Sequence, residues 1–263
     1  MNKKGRLALL TNVYTGKPIK SEGRGFLVID YLKGNVTSLD YINTLSKNGK
    51  MYSPFNLCLF EPQNNGAYEA VYYKNQFENK ETGTCIPGEG PNMLPPGVSG
   101  FGNHAISTPF RKTIYGIDEF RSKIEKGLGL EELQSEAVQL LSNKQEHHPD
   151  TQMQKQSGVL DKMRTNNDSQ KESFEHPDDD DASKQLSDQG THQSNEKTEL
   201  DFTLKKEQLL SSIFVDIGEK YGTRMQTLIF VGYDREVHFM ERTRISYKAP
   251  FEWTTKSVKF QFD

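Results

Sequence analysis

Leu94-Pro95-Pro96-Gly97-Val98-Ser99-Gly100-Phe101-Gly102-Asn103-His104-Ala105-Ile106-Ser107-Thr108-Pro109-Phe110-Arg111-Lys112 is the most locally specified stretch of this 263-residue chain. Pro95 and Pro96 fix φ and Gly97 accepts a positive φ, so the backbone leaves this point in a rigid turn. Gly100 and Gly102 leave room for close approach of a neighbour or ligand, and Asn103 follows on nearly bare backbone. Thr108-Pro109 predicts an N-cap with proline at the first helical position. Phe110, Ile114, Ile117, Phe120 and Ile124 continue at helical spacing to about Lys126. The block therefore predicts a polar amide just ahead of a helix that carries Arg111 and Lys112 in its first turn. Ordinary strand-to-helix turn chemistry accounts for the same residues, and local physics leaves both readings open.

Working outward, a hydrophobic content of 33% and a mean hydropathy of -0.76 are too polar for a chain that is globular throughout. The polar excess is concentrated in 145–199, rich in Asp, Ser, Gln, Asn and Lys and including the run Asp178 to Asp181. This segment is expected to be a disordered insertion that divides one domain into parts 1–144 and 200–263. His147, His148 and the aspartate run lack partners at a ligand spacing, and no metal site is assigned. The net charge of -3 gives no electrostatic footprint for nucleic acid. No run of roughly 18 apolar residues is present, and Met1 to Arg6 lacks an apolar signal region, so neither a membrane span nor secretion is expected. Two cysteines, Cys58 and Cys85, are too few for a disulfide scaffold.

Before the block, residues 5–12 read as a first strand, Gly25 to Leu32 as a helix ended by Gly34, and Thr37 to Asp40 as a capping signature opening a second helix that stops at Gly49. Phe55 to Phe60 and Tyr68 to Tyr73 read as a hairpin. After it, Leu130 to Asn143 forms an amphipathic helix. Leu228 to Val231, apolar on both faces, predicts a central strand. Val237 and Phe239, and then Val258, Phe260 and Phe262, alternate with polar residues as half-buried antiparallel strands do. His238 is expected to be a strand residue with a satisfied imidazole. Strands at both ends with helices between indicate an α+β domain.

The central block resembles the Pro-Gly-x-x-Gly-x-x-Asn…Thr-Pro-Trp-x-Lys block of the Transport and Golgi organisation 2 family, with Phe110 in place of Trp and Gly102 in place of Ser. Residues 5–12, Gly23-Arg24-Gly25, Phe55-Asn56-Leu57, Tyr221-Gly222-Thr223-Arg224 and Glu241-Arg242 resemble further motifs of that family in the same order. Asp234-Arg235 stands where the family has Asp-Gly in a hairpin turn. The family's Met-Cys start and Asn-Arg-Asp-Glu motif are absent, so the chain reads as a form lacking its first strands. An open sheet edge inviting self-association is the expected consequence.

The resemblance implies an αββα sandwich of antiparallel sheets with covering helices, similar to the N-terminal-nucleophile hydrolases. There an N-terminal thiol attacks an amide with its own α-amine as base. By that resemblance Asn12, Asn103 and Arg224 face a ligand pocket, and Arg111 joins them as a candidate contact. Met1 and Asn2 supply no such nucleophile, and neither Cys58 nor Cys85 offers a free α-amine. The leading reading is therefore a non-catalytic trafficking or binding protein in Golgi organisation and secretion, acting through haem movement or lipid metabolism. Its expected location is the cytoplasm, in association with Golgi or mitochondria, with secretory-pathway proteins as partners. The alternative is an amide hydrolase whose nucleophile lies outside this chain. No cofactor is assigned; haem is a candidate cargo, with Cys85, His104 and His238 as isolated candidate ligands.

Overall fold

The computed structural model describes residues 1–13, 22–79, 84–157, 204–218, 221–246, 248 and 250–262. The first half contains β1 (Leu7–Asn12), α1 (Gly25–Lys33), α2 (Ser38–Asn48), β2 (Phe55–Pro62), β3 (Tyr68–Lys74), β4 (Phe77–Asn79), β5 (Thr84–Ile86) and β6 (Glu89–Leu94). Four of these strands form an antiparallel sheet in the order β1-β2-β3-β6, while β4 and β5 pair separately. The period of two along β2 separates two kinds of residue. Phe55, Leu57 and Leu59 point toward α1 and α2, packing with Val71 and Tyr73 against Leu27, Tyr31, Ile42 and Leu45. Each such side chain contributes about 1.5 to 3 kcal/mol when fully buried, which makes this face the main core. The alternate residues Asn56 and Cys58 face the other way and are equally buried.

The helices begin and end where short-range chemistry directs. Thr37 Oγ1 accepts the Asp40 amide at 3.1 Å at the start of α2, and the Gly34 N–H donates to the Asp30 carbonyl at 2.9 Å at the end of α1. Arg6 and Glu61 form a largely buried ion pair at 2.6 Å. The second carboxylate oxygen of Glu61 accepts the Ser38 amide, tying β1 and β2 to the first turn of α2.

The second half contributes α3 (Arg111–Glu125), α4 (Leu130–Leu141), α5 (Thr151–Ser157), β7 (Asp216–Ile217), β8 (Tyr221–Gly222), β9 (Met225–Val231), β10 (Glu236–Arg244) and β11 (Trp253–Gln261). The last three form an antiparallel sheet in the order β11-β10-β9. The fold is thus α+β, built on antiparallel sheets with covering helices. Leu228 to Val231 lie on an edge strand of this sheet, not in its centre, which belongs to β10. Their apolarity fits the cover that α4 gives β9: the helix packs on the strand, and Gln226 donates to the Leu141 carbonyl and the Ser142 hydroxyl at the helix's end. β11 alternates as expected but is not half-buried, because Val258 and Phe260 are 53% and 36% exposed. Its Lys256 and Lys259 oppose edge-to-edge pairing.

Three further observations differ from the sequence-based expectations or connect distant parts of the chain. The predicted disordered insertion begins with ordered structure: Asp150 is buried and opens α5, and Gln154 is buried against Glu207. The remainder of that expectation, residues 158–199, lies outside the described residues. The two larger sheets meet at one end, where the buried Phe262 ring stands edge-on to Tyr68 at 6.4 Å. Gly5 has φ 80°, and a Cβ there would lie 2.5 Å from the Phe262 ring, so glycine serves both the backbone and this contact. On β10 the buried Arg244 pairs with Asp216 at 3.2 Å and lies 3.8 Å from the centre of the Phe251 ring.

Candidate functional site

Asn56 organises the face of the four-stranded sheet opposite α1 and α2. Its amide nitrogen donates to Thr11 Oγ1 at 3.1 Å, the Gly102 carbonyl at 3.0 Å and the His104 carbonyl at 2.9 Å. Three acceptors for two amide hydrogens mean that one bond is shared. Asn56 Oδ1 accepts the Tyr72 hydroxyl at 2.7 Å, and that hydroxyl oxygen accepts the Ile106 amide at 3.1 Å. Asn56 and Tyr72 are fully buried, so the bond between them forms away from competing water and the others are partly shielded. The glycine-rich block is thereby fastened to β2 and β3 by its own backbone, with Phe101 tilted against the Tyr72 ring at 5.8 Å.

Gly100 and Gly102 allow this approach. A Cβ at Gly100 would come within 2.9 Å of Ile117 on α3, so the loop lies directly against that helix. Thr108 does not cap α3. The helix starts at Arg111 after Phe110, and Thr108 Oγ1 instead meets His104 Nδ1 at 2.9 Å. The cap comes from Asp150, whose Oδ2 accepts the Arg111 amide at 2.5 Å. Its Oδ1 accepts the Gln152 and Met153 amides, so one carboxylate serves the starts of α3 and α5.

Of the predicted site residues, Asn12 and Asn103 meet: Asn103 Nδ2 donates to the Asn12 carbonyl at 2.7 Å. Both are exposed at the end of β1. Arg224 is exposed just before β9, where its carbonyl accepts the Arg244 amide, and Arg111 is exposed at the first position of α3. Two clefts in the structure are lined by other residues, one around Arg6, Glu61 and Arg235 and one around Glu132, His238 and Lys259. Asn56, Tyr72, Thr11 and Asp150, which hold the block in place, lie outside the candidate set Asn12, Asn103, Arg224 and Arg111. The signals for Asn56 are a lone amide inside the otherwise apolar run Phe55 to Phe60 and its place in the Phe55-Asn56-Leu57 motif.

Electrostatics around the block favour neutral groups. Burial lowers the His104 pKa, assisted by Lys74 and opposed by Thr108, Asp150 and Glu89. The Cys58 thiol, fully buried on the same face as Asn56, is pushed up to about 12 by desolvation. A thiol held that far into the protonated state is a weak nucleophile at neutral pH. His238 shares its ring Nε2 with Glu236, as expected for a satisfied strand histidine. His147 stacks on Tyr115 with ring centres 4.4 Å apart. Among the described residues no helix is long and apolar enough to cross a membrane.

The comparisons agree with the block and its neighbours. Residues 1–246 match the family model described as Transport and Golgi organisation 2. The chain is 30% identical over 156 residues to the Transport and Golgi organization protein 2 homolog of Bos taurus, covering 58% of this chain and 53% of that protein. It is also 30% identical over 158 residues to the Homo sapiens homolog, covering 59% and 54%. The Drosophila melanogaster Transport and Golgi organization protein 2 aligns over 97% of this chain and 73% of its own length at 24% identity. The chain spans about half the length of the mammalian relatives it matches. With the family model spanning most of its length, this chain belongs to the Transport and Golgi organisation 2 family.

Proposed function

We propose that this chain is a non-catalytic binding protein in Golgi organisation and protein secretion, and that Asn12 and Asn103 form one wall of its small-ligand site. The observation that carries the reading is Asn103, presented to solvent by a loop whose backbone is anchored from below by the buried Asn56. A rigid base with an exposed amide suits recognition, because little ordering cost remains to be met on binding. Arg224 and Arg111 complete the proposed site as cations for an acidic ligand, and haem, with its propionates, is the candidate cargo. The inert Cys58 favours binding over nucleophilic chemistry. Secretory-pathway proteins, self-association through the open edge of β1, and a cytoplasmic location near Golgi or mitochondria belong to the same proposal.

The test is rescue of Golgi morphology and reporter secretion in cells lacking the protein. Wild-type chain is expected to rescue, and Asn103→Ala to fail while keeping the wild-type melting temperature. Equal rescue by Asn103→Ala would remove the amide from the site, and hydrolysis of an acyl-amide substrate by the purified chain would overturn the non-catalytic assignment.

A further inference from the structure

The end of the molecule where the two sheets meet carries a second feature, distinct from the Asn12 and Asn103 corner. A polar cleft of about 260 Å³ opens there between the N-terminal loop, the β2–β3 turn and the β9–β10 turn. It is lined by Lys4, Arg6, Glu61, Asn64, Arg235 and Phe262, among others. Its charges are unequal. Glu61 is committed to Arg6 and to the Ser38 amide, so that acid and that base balance. Lys4 Nζ donates to the neutral Asn35 amide oxygen at 2.9 Å. Among the described residues neither Lys4 nor Arg235 has a carboxylate partner, and the Arg235 guanidinium instead lies 6.0 Å from the centre of the Phe262 ring.

Arg235 is also the one non-glycine residue with positive φ among those described, at 67°. It closes the turn from Gly232 through its N–H to the Gly232 carbonyl at 2.9 Å. This conformation suits glycine and strains a residue with a Cβ. A long cationic side chain kept where the backbone favours none, and aimed along an aromatic ring into a polar cleft, points from strain toward function. The surroundings are fixed: a Cβ at Gly66 would lie 2.7 Å from the Tyr233 carbonyl, so the two turns are in direct contact, and Phe262 is wedged beside Gly5.

We infer that this cleft binds the phosphate group of a small free metabolite, with Arg235 and Lys4 as its cationic contacts and Asn64 as a neutral donor. Arginine suits this role because its planar fork offers paired donors to a tetrahedral oxyanion. The inference stands apart from the proposed function above, since it uses none of the same residues.

Arg235→Gly separates binding from folding, because it removes the cation and relieves the backbone at once. Calorimetric titration of the full chain with inorganic phosphate and with glycerol 3-phosphate, at ionic strength held constant with sodium chloride, is expected to show saturable binding. Affinity should fall about tenfold or more in Arg235→Gly and in Lys4→Gln, and part of it should return in Arg235→Lys. Arg235→Gly should melt no lower than wild type. Absence of saturable binding, or unchanged affinity in Arg235→Gly, overturns the inference. Binding to phosphatidylcholine vesicles only when they contain phosphatidic acid, with no binding of either free phosphate compound, overturns the small-metabolite assignment and identifies a lipid surface instead.

Discussion

At the scale of single residues, Asn56 shows how one side chain can do structural work for a loop more than 40 positions away. Its amide serves Thr11, Gly102 and His104 in part-buried bonds, and its oxygen serves Tyr72 in a fully buried one. Alanine would leave the part-buried His104 carbonyl and the buried Tyr72 hydroxyl without this partner, while the Gly102 carbonyl keeps the Thr11 hydroxyl. Each net hydrogen bond is worth about 1 kcal/mol, and stranding buried groups costs about 1 to 3 kcal/mol more. Asn56→Ala is expected to lower the unfolding free energy by about 3 kcal/mol in urea denaturation. A loss below about 1 kcal/mol would show that the loop is held mainly by packing of Phe101 and Ile117. The sequence marks this residue by its polarity and by its place in the Phe55-Asn56-Leu57 motif, but not by its role, since the partners that make it important are distant in the chain.

At the scale of elements, the helices divide into those that cap themselves and those that borrow a cap. The start of α2 is legible in Thr37 and Asp40 because donor and acceptor lie three residues apart. The start of α3 is not, because Asp150 lies 39 residues beyond the Arg111 amide it accepts. Asp150 is itself fixed by its own N–H, which donates to the buried Glu207 at 2.8 Å. With each cap worth about 1 kcal/mol, Asp150→Ala is expected to destabilise the protein by about 2 kcal/mol, and Asp150→Asn by less because one acceptor oxygen remains. Hydrogen exchange should localise the loss to the first turns of α3 and α5, and protection unchanged at Arg111, Gln152 and Met153 would contradict the shared cap. The composition of 145–199 obscures this role, since a uniformly polar segment reads as solvated although its beginning packs on the domain.

At the scale of the whole molecule, stability should depend on pH through two half-buried histidines whose neutral form the native state favours. Desolvation lowers the pKa of His104, with Lys74 adding to the effect, and also lowers that of His147, with Lys112 adding there. The sign follows from linkage. As pH falls below the ordinary histidine value of about 6.5, the unfolded chain takes up these protons first, so the native state loses stability until its own lowered values are passed. Melting temperature is therefore expected to fall between about pH 7 and pH 5, and the double variant His104→Gln, His147→Gln to show a shallower fall. An equal slope in the double variant would assign the effect to other groups.

What the sequence determined by itself is the part of the structure governed by near neighbours and by strict periods. The hairpin of Phe55 to Phe60 with Tyr68 to Tyr73, the cap at Thr37, the stop at Gly34 and the meeting of a glycine-rich loop with a helix all depend on residues within a few positions of one another. On β10, by contrast, Met240 is buried although the period of two groups it with the polar side. The family was legible for a related reason, since its motifs are short and keep their order along the chain. Tertiary structure alone decided that β9 lies at a sheet edge, that β11 stays exposed, that Asp150 starts two helices, and that Asn103 rests on Asn12. An apolar run records whether its faces are covered, but not which strand lies beside it. A polar side chain records that it needs a partner, but only the folded chain brings that partner within about 3 Å.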